Sequence, residues 1–120
     1  MGRSALQSNT TGNNNIAIGH QAAYTNTTGI NNVAIGTSAL QNNTYAGGNV
    51  GVGYAALQNN TYGGGNTALG YYALNNNTTG STNTGIGYYS LVGNTTGTDN
   101  CTLGYYAGAA IVSGSYNVAM

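Results

Sequence analysis

The chain has 120 residues, no proline, tryptophan or phenylalanine, and only one side chain of each charge, Arg3 and Asp99. No basic stripe is available to neutralise phosphates, which argues against nucleic acid, and no run of about 18 apolar residues is available to span a membrane. A lone acid excludes catalysis by paired carboxylates. Low charge with abundant Asn, Thr and Gly can mean disorder, but 11 Tyr and evenly placed Ile, Val and Leu argue against it. The opening "MGRSAL" passes directly into a repeating pattern without a secretory signal, so the expectation is a mature segment, a fragment or a product exported by another route.

From its start the chain repeats with a constant step of 17 residues. Each unit opens on an Asn: Asn15, Asn32, Asn49, Asn66, Asn83, Asn100 and Asn117. Taking that Asn as position one, position three is small (Ala17, Ala34, Gly51, Ala68, Gly85) and position four is Ile18, Ile35, Val52, Leu69, Ile86 or Leu103. Position five is always Gly: Gly19, Gly36, Gly53, Gly70, Gly87 and Gly104. Position eight is Ala or Ser; position nine is Leu40, Leu57, Leu74 or Leu91, with Ala23 and Gly108 as exceptions. Position thirteen is Thr10, Thr27, Thr44, Thr61, Thr78 or Thr95, each preceded by Asn.

A fixed period of this length indicates a solenoid whose units bury apolar residues against their neighbours. Units so rich in Gly and Asn cannot hold two helices, since Gly costs about 1 kcal/mol relative to Ala inside one. "NNVAIG" and "NTALG" read instead as a turn and a short strand. The fold expected is therefore all-β, a parallel β-solenoid or β-roll of seven 17-residue coils, forming one repeat array over residues 1–120. Strands about 4.8 Å apart would give a rod roughly 33 Å long, with Asn and Gly columns as its structural ladder. The columns at positions four and nine are the expected core, with the bend between their two faces at the position-five Gly. Small residues at positions three and eight would let another backbone approach, so several chains are expected to pack side by side.

The frame in "NNVAIGTSAL", "NTALGYYAL" and "NTGIGYYSL" resembles the head repeats of YadA-type trimeric autotransporter adhesins, and still more the fibre repeats of phage tail fibres and related bacterial proteins. The resemblance spans essentially the whole chain. It implies a left-handed parallel β-roll, three chains about a common axis, and an extracellular, cell-surface or virion location. The last unit, "GYYAGAAIVSGSYN", resembles a variant in the same fibre families and reads as continuation. Residue 120 occupies the same position as residue 1, so the expectation is either a piece of a longer array or subunits stacking end to end into a filament.

Individual residues add little chemistry. His20 has no second ligand or base and reads as a surface residue. Cys101, at position two, reads as a small buried hydrophobe, with a reactive thiol or intermolecular disulfide as the alternative. "GVGYAA" and "GIGYYS" imitate a dinucleotide-binding loop, but no helix follows them. The expectation is no enzyme, no metal and no cofactor. Tyr54, Tyr71, Tyr88 and Tyr105 form a column at position six, and Tyr72, Tyr89 and Tyr106 another at position seven. Strand alternation puts at least one column outside, either stiffening the rod or gripping glycans. Asn9, Asn26, Asn42, Asn59, Asn76, Asn77, Asn94 and Asn100 open glycosylation triplets that are equally good turn sequences. The leading functional expectation is a structural fibre segment that associates with copies of itself. A glycan-binding module and an ice-binding solenoid are the alternatives; against ice binding, the Thr residues adjoin in turns and do not alternate along a strand.

Overall fold

The computed structural model describes residues 2–120, and it is a parallel β-solenoid. Seven short strands, β1 (Ile16–Ile18), β2 (Val33–Ile35), β3 (Val50–Val52), β4 (Thr67–Leu69), β5 (Thr84–Ile86), β6 (Cys101–Leu103) and β7 (Val118–Ala119), form one sheet in chain order. All neighbours are parallel and in register, Ile16 beside Val33 and Val33 beside Val50, so like residues stack. The described residues contain no helix, and hence none that could cross a membrane. The molecule measures 36 × 20 × 17 Å.

Pairing between coils continues beyond the strands. At position five the Gly N–H donates to the preceding coil's position-four carbonyl, as from Gly53 to Ile35 at 2.8 Å. At position seven Tyr72 donates to the carbonyl of Tyr54, and at position nine Leu57 donates forward to Ala73, both at 3.0 Å. This continuity holds unusual backbone in place. The bend lies at the position-five Gly, with φ from +127° at Gly104 to +141° at Gly70. A Cβ on Gly53 would stand 2.4 Å from the carbonyl oxygen of Gly70, so the column admits no side chain. Position seven (Tyr72, φ 56°) and position nine (Leu57, φ 53°) are left-handed without being Gly, a conformation that persists only where surrounding contacts enforce it.

The core differs from the sequence expectation. Leu40, Leu57, Leu74 and Leu91 are fully buried, as are the alanines of position eight from Ala22 to Ala73. The inward strand residue, however, is position three: Ala34 and Ala68 are fully buried, while Ile18, Ile35, Leu69 and Leu103 lie exposed on the outer face and Val52 and Ile86 are half-buried there. The leucines impose this. Leu40 already reaches across the coil, so that a Cβ on Gly51 would lie 3.2 Å from Leu40 Cγ, and Leu74 stands equally close to Gly85. An Ile turned inward would overfill the coil. The small residues at positions three and eight thus admit the opposite wall of their own coil, and not a second chain.

The other half of the interior is polar. Asn66 and Asn77 both donate through Nδ2 to the carbonyl of Gly80 at 2.8 Å, and Asn83 and Asn94 do the same to Gly97, at 2.8 and 3.1 Å. Two ladders run between coils. At position one, the N–H of Asn66 donates to Asn49 Oδ1 at 2.9 Å, and Asn83 repeats this to Asn66. At position twelve, Asn60 donates to Asn43 and Asn77 to Asn60, each at 2.8 Å, and Asn94 to Asn77 at 2.7 Å.

The last unit closes the same space with different residues. Gly108 replaces Leu at position nine, Ile111 replaces Asn at position twelve, and Thr102 replaces Ala or Gly at position three. Ile111 Cδ1 approaches to 3.2 Å of where a Gly108 Cβ would sit, and Thr102 Cγ2 to 2.6 Å, so these two fill the volume the Leu leaves. The Thr102 hydroxyl meets that of Ser90, the one position-eight Ser, at 2.7 Å. Two polar residues that would each be costly alone thereby satisfy one another. The exchange ends the position-twelve ladder: Asn94 Oδ1 is buried without a donor, because Ile111 has no amide to offer.

Candidate functional site

No cavity opens among the described residues, so the candidate sites are surfaces. The first is the outer face of the sheet. Strand alternation projects positions two and four outward together: Ile16, Val33, Val50, Thr67, Thr84, Cys101 and Val118 beside Ile18, Ile35, Val52, Leu69, Ile86 and Leu103. Ile16, Ile18 and Leu103 are 52%, 50% and 53% exposed. Cys101 belongs to this face as a free, exposed thiol, which corrects its reading as a buried hydrophobe. The result is an apolar column at position four beside a mixed column at position two, where Thr67 and Thr84 interrupt the apolar residues, with no charge on either.

The second surface is aromatic. The two tyrosine columns share one side, because the left-handed turn at position seven replaces the strand alternation that would have separated them. Tyr71 and Tyr88 stack at 5.2 Å and 6°, Tyr88 and Tyr105 at 5.4 Å and 10°. Tyr72 and Tyr89 stack at 5.1 Å, Tyr89 and Tyr106 at 5.0 Å. Between columns the rings tilt, Tyr88 against Tyr89 at 4.7 Å and 50°. Tyr54 begins the strip, 5.2 Å from Tyr71. Rings inside a column, such as Tyr88 between Tyr71 and Tyr105, have a neighbour on each face, whereas Tyr105, which ends its column, is 75% exposed. Burial first, and then the charge a neighbouring phenolate would carry, push the Tyr88 and Tyr89 phenols above the ordinary 10.0; at Tyr72, burial and then Tyr54 do so. The doublet "YY" directly after Gly70, Gly87 and Gly104 was the available signal, since so narrow a coil cannot take in two adjacent large rings. A shorter stack, Tyr45 on Tyr62 at 5.4 Å, lies elsewhere on the coil.

The glycosylation triplets divide by position. Asn26, Asn77, Asn94 and Asn100 are buried, and their amides donate to neighbouring coils or to carbonyls, so they are structural and not acceptor sites. Asn9 is half-buried and donates to Gly12; Asn42 and Asn59 are half-buried and joined at 3.2 Å; Asn76 is exposed. The position-thirteen Thr hydroxyls are also engaged, Thr61 donating to the carbonyl of Thr78 and Thr78 to that of Thr95, each at 3.0 Å.

His20 is exposed on its turn. Asp99 accepts from the Thr82 hydroxyl at 2.5 Å; that bond, and then one from Thr98, hold its carboxyl below the ordinary 3.8. Among the described residues no three His, Cys, Asp or Glu side chains group as metal ligands do. Comparisons with protein-family models, curated proteins and solved structures give no match.

Proposed function

We propose that the chain is a structural fibre segment: a stiff rod that associates side by side with copies of itself, as a homotrimer, on a cell surface, on a virion or in an extracellular filament. The outward apolar column at position four, with the apolar residues of position two beside it, carries the reading. Inside the coil the Asn ladders and the turns satisfy their own hydrogen bonds, whereas Ile16, Ile18, Ile35, Leu69 and Leu103 are left facing water along a 36 Å body. An apolar face of this extent marks an interaction surface. A chain with one acid and one base offers no electrostatic obstacle to meeting its own copy. The arrangement of the Tyr and Thr columns favours a scaffold over the other two roles. Sugars stack on open ring faces, and rings inside the columns, such as Tyr88, have theirs against neighbours; ice binding needs free hydroxyls, and those of position thirteen bond to carbonyls.

Sedimentation velocity and electron microscopy test the proposal. Wild-type protein should sediment at about three times the chain mass and appear as short rods. Replacing Val50→Asp and Val52→Asp together should yield monomers with an unchanged β circular dichroism spectrum. A wild-type chain that stays monomeric at high concentration would sink the reading.

A further inference from the structure

The tyrosine strip is more ordered than stiffness requires. Successive rings in each column lie 17 residues apart in sequence, nearly parallel, with centroids 5.0 to 5.4 Å apart and edges open to solvent. Oxidants can reach them, since Tyr105 is 75% and Tyr54 44% exposed. The chain has no Trp to compete as an electron donor, and its one Cys is on the sheet face.

We infer that the strip is a site of oxidative cross-linking, in which tyrosines of neighbouring coils are joined as dityrosine by a one-electron oxidant of the peroxidase class acting with hydrogen peroxide. Each phenol gives up one electron and its hydroxyl proton, leaving two tyrosyl radicals. These couple through a carbon–carbon bond between ring carbons adjacent to the hydroxyl-bearing carbon. The hydrogen on each coupled carbon then moves to the ring oxygen, restoring two aromatic phenols. The two electrons and two protons released convert one hydrogen peroxide to two waters. Parallel stacking favours the step because the rings of adjacent coils are already held with centroids 5.0 to 5.4 Å apart, so local side-chain motion replaces a diffusional encounter. A bond between Tyr71 and Tyr88, or between Tyr72 and Tyr89, would clip one coil to the next, restricting the unfolded chain as a disulfide across such a loop does. The inference rests on ring geometry and is independent of the fibre proposal.

The test treats the folded chain and a urea-unfolded sample with a plant peroxidase and hydrogen peroxide, reading dityrosine fluorescence and mapping links by mass spectrometry. The folded chain should form dityrosine at least several-fold faster, lose two hydrogens per link, and show links within one column, Tyr71 to Tyr88 and Tyr72 to Tyr89. Tyr24 and Tyr116, which among the described residues stack on no other ring, should stay unlinked. A variant carrying Tyr54→Phe, Tyr71→Phe, Tyr72→Phe, Tyr88→Phe, Tyr89→Phe, Tyr105→Phe and Tyr106→Phe keeps the aromatic rings without the phenols and should retain only the Tyr45–Tyr62 product. Equal rates in urea, or links centred on Tyr24 and Tyr116, would overturn the inference. Since the urea comparison uses wild-type protein, it decides the matter even where the Phe variant does not fold.

Discussion

Asparagine performs two different tasks in this chain at adjacent positions. Asn77 is fully buried, donates to Asn60 Oδ1 and to the Gly80 carbonyl, and accepts from Asn94. Its neighbour Asn76 is exposed. Truncating Asn77→Ala removes a donor from Asn60 and an acceptor from Asn94 in a dry interior, where each buried group left unpaired costs about 1–3 kcal/mol. The expected loss is roughly 2–4 kcal/mol for Asn77→Ala, against no more than about 0.5 kcal/mol for Asn76→Ala, as read from urea unfolding midpoints. Similar losses for the two would mean that the amide ladder contributes nothing. Asn94 already lives with one such defect, because Ile111 ends its ladder.

Within a coil, the decisive elements are the glycine bend and the leucine opposite the strand. Gly53 combines φ +131° with a 2.4 Å approach of the Gly70 carbonyl oxygen to any added Cβ. Gly53→Ala therefore strains its own backbone and pushes the next coil away, at an expected cost of about 3 kcal/mol or more. Leu57→Ala opens a cavity that flanking coils cannot close, since their backbones are already in hydrogen-bonded register; about 2–5 kcal/mol is expected. Thermal unfolding of both variants checks these values, and a Gly53→Ala variant as stable as wild type would contradict the close axial contact. The same Leu explains the inverted strand. Parity alone allowed either positions two and four or position three to face inward. The reach of Leu40 to within 3.2 Å of a Gly51 Cβ leaves space for the small residue only.

For the molecule as a whole, stability should fall in alkali. The raised phenols of Tyr72, Tyr88 and Tyr89 hold their protons more tightly in the folded chain than in the unfolded one. The unfolded state therefore releases protons first as pH rises past the ordinary tyrosine value. The stabilisation is complete below pH 10.0 and declines above it as the folded phenols ionise. Urea midpoints should be level between about pH 8 and 9 and fall by about pH 11. The variant with Phe along the strip should show a smaller fall. A wild-type midpoint that rises with pH in that range would contradict the sign. Acid is of little consequence, because Asp99 is the sole side-chain carboxylate.

The period, the strand position, the parallel stacking, the glycine bend and the buried leucines were legible in the sequence, because each depends on one residue type recurring at one step and needs no partner to be identified. The glycosylation triplets misled for the same reason: a local motif does not say whether its Asn faces inward. Tertiary structure decided which strand face is the core, because that is a question of volume between opposite walls. It decided that two adjacent tyrosine columns share a side, because a left-handed residue between them cancels alternation. It also paired Ser90 with Thr102 and Ile111 with the space above Gly108, exchanges visible only when positions from different coils meet. Repetition specifies a coil from its own seventeen residues, but what fills the coil depends on the distance across it.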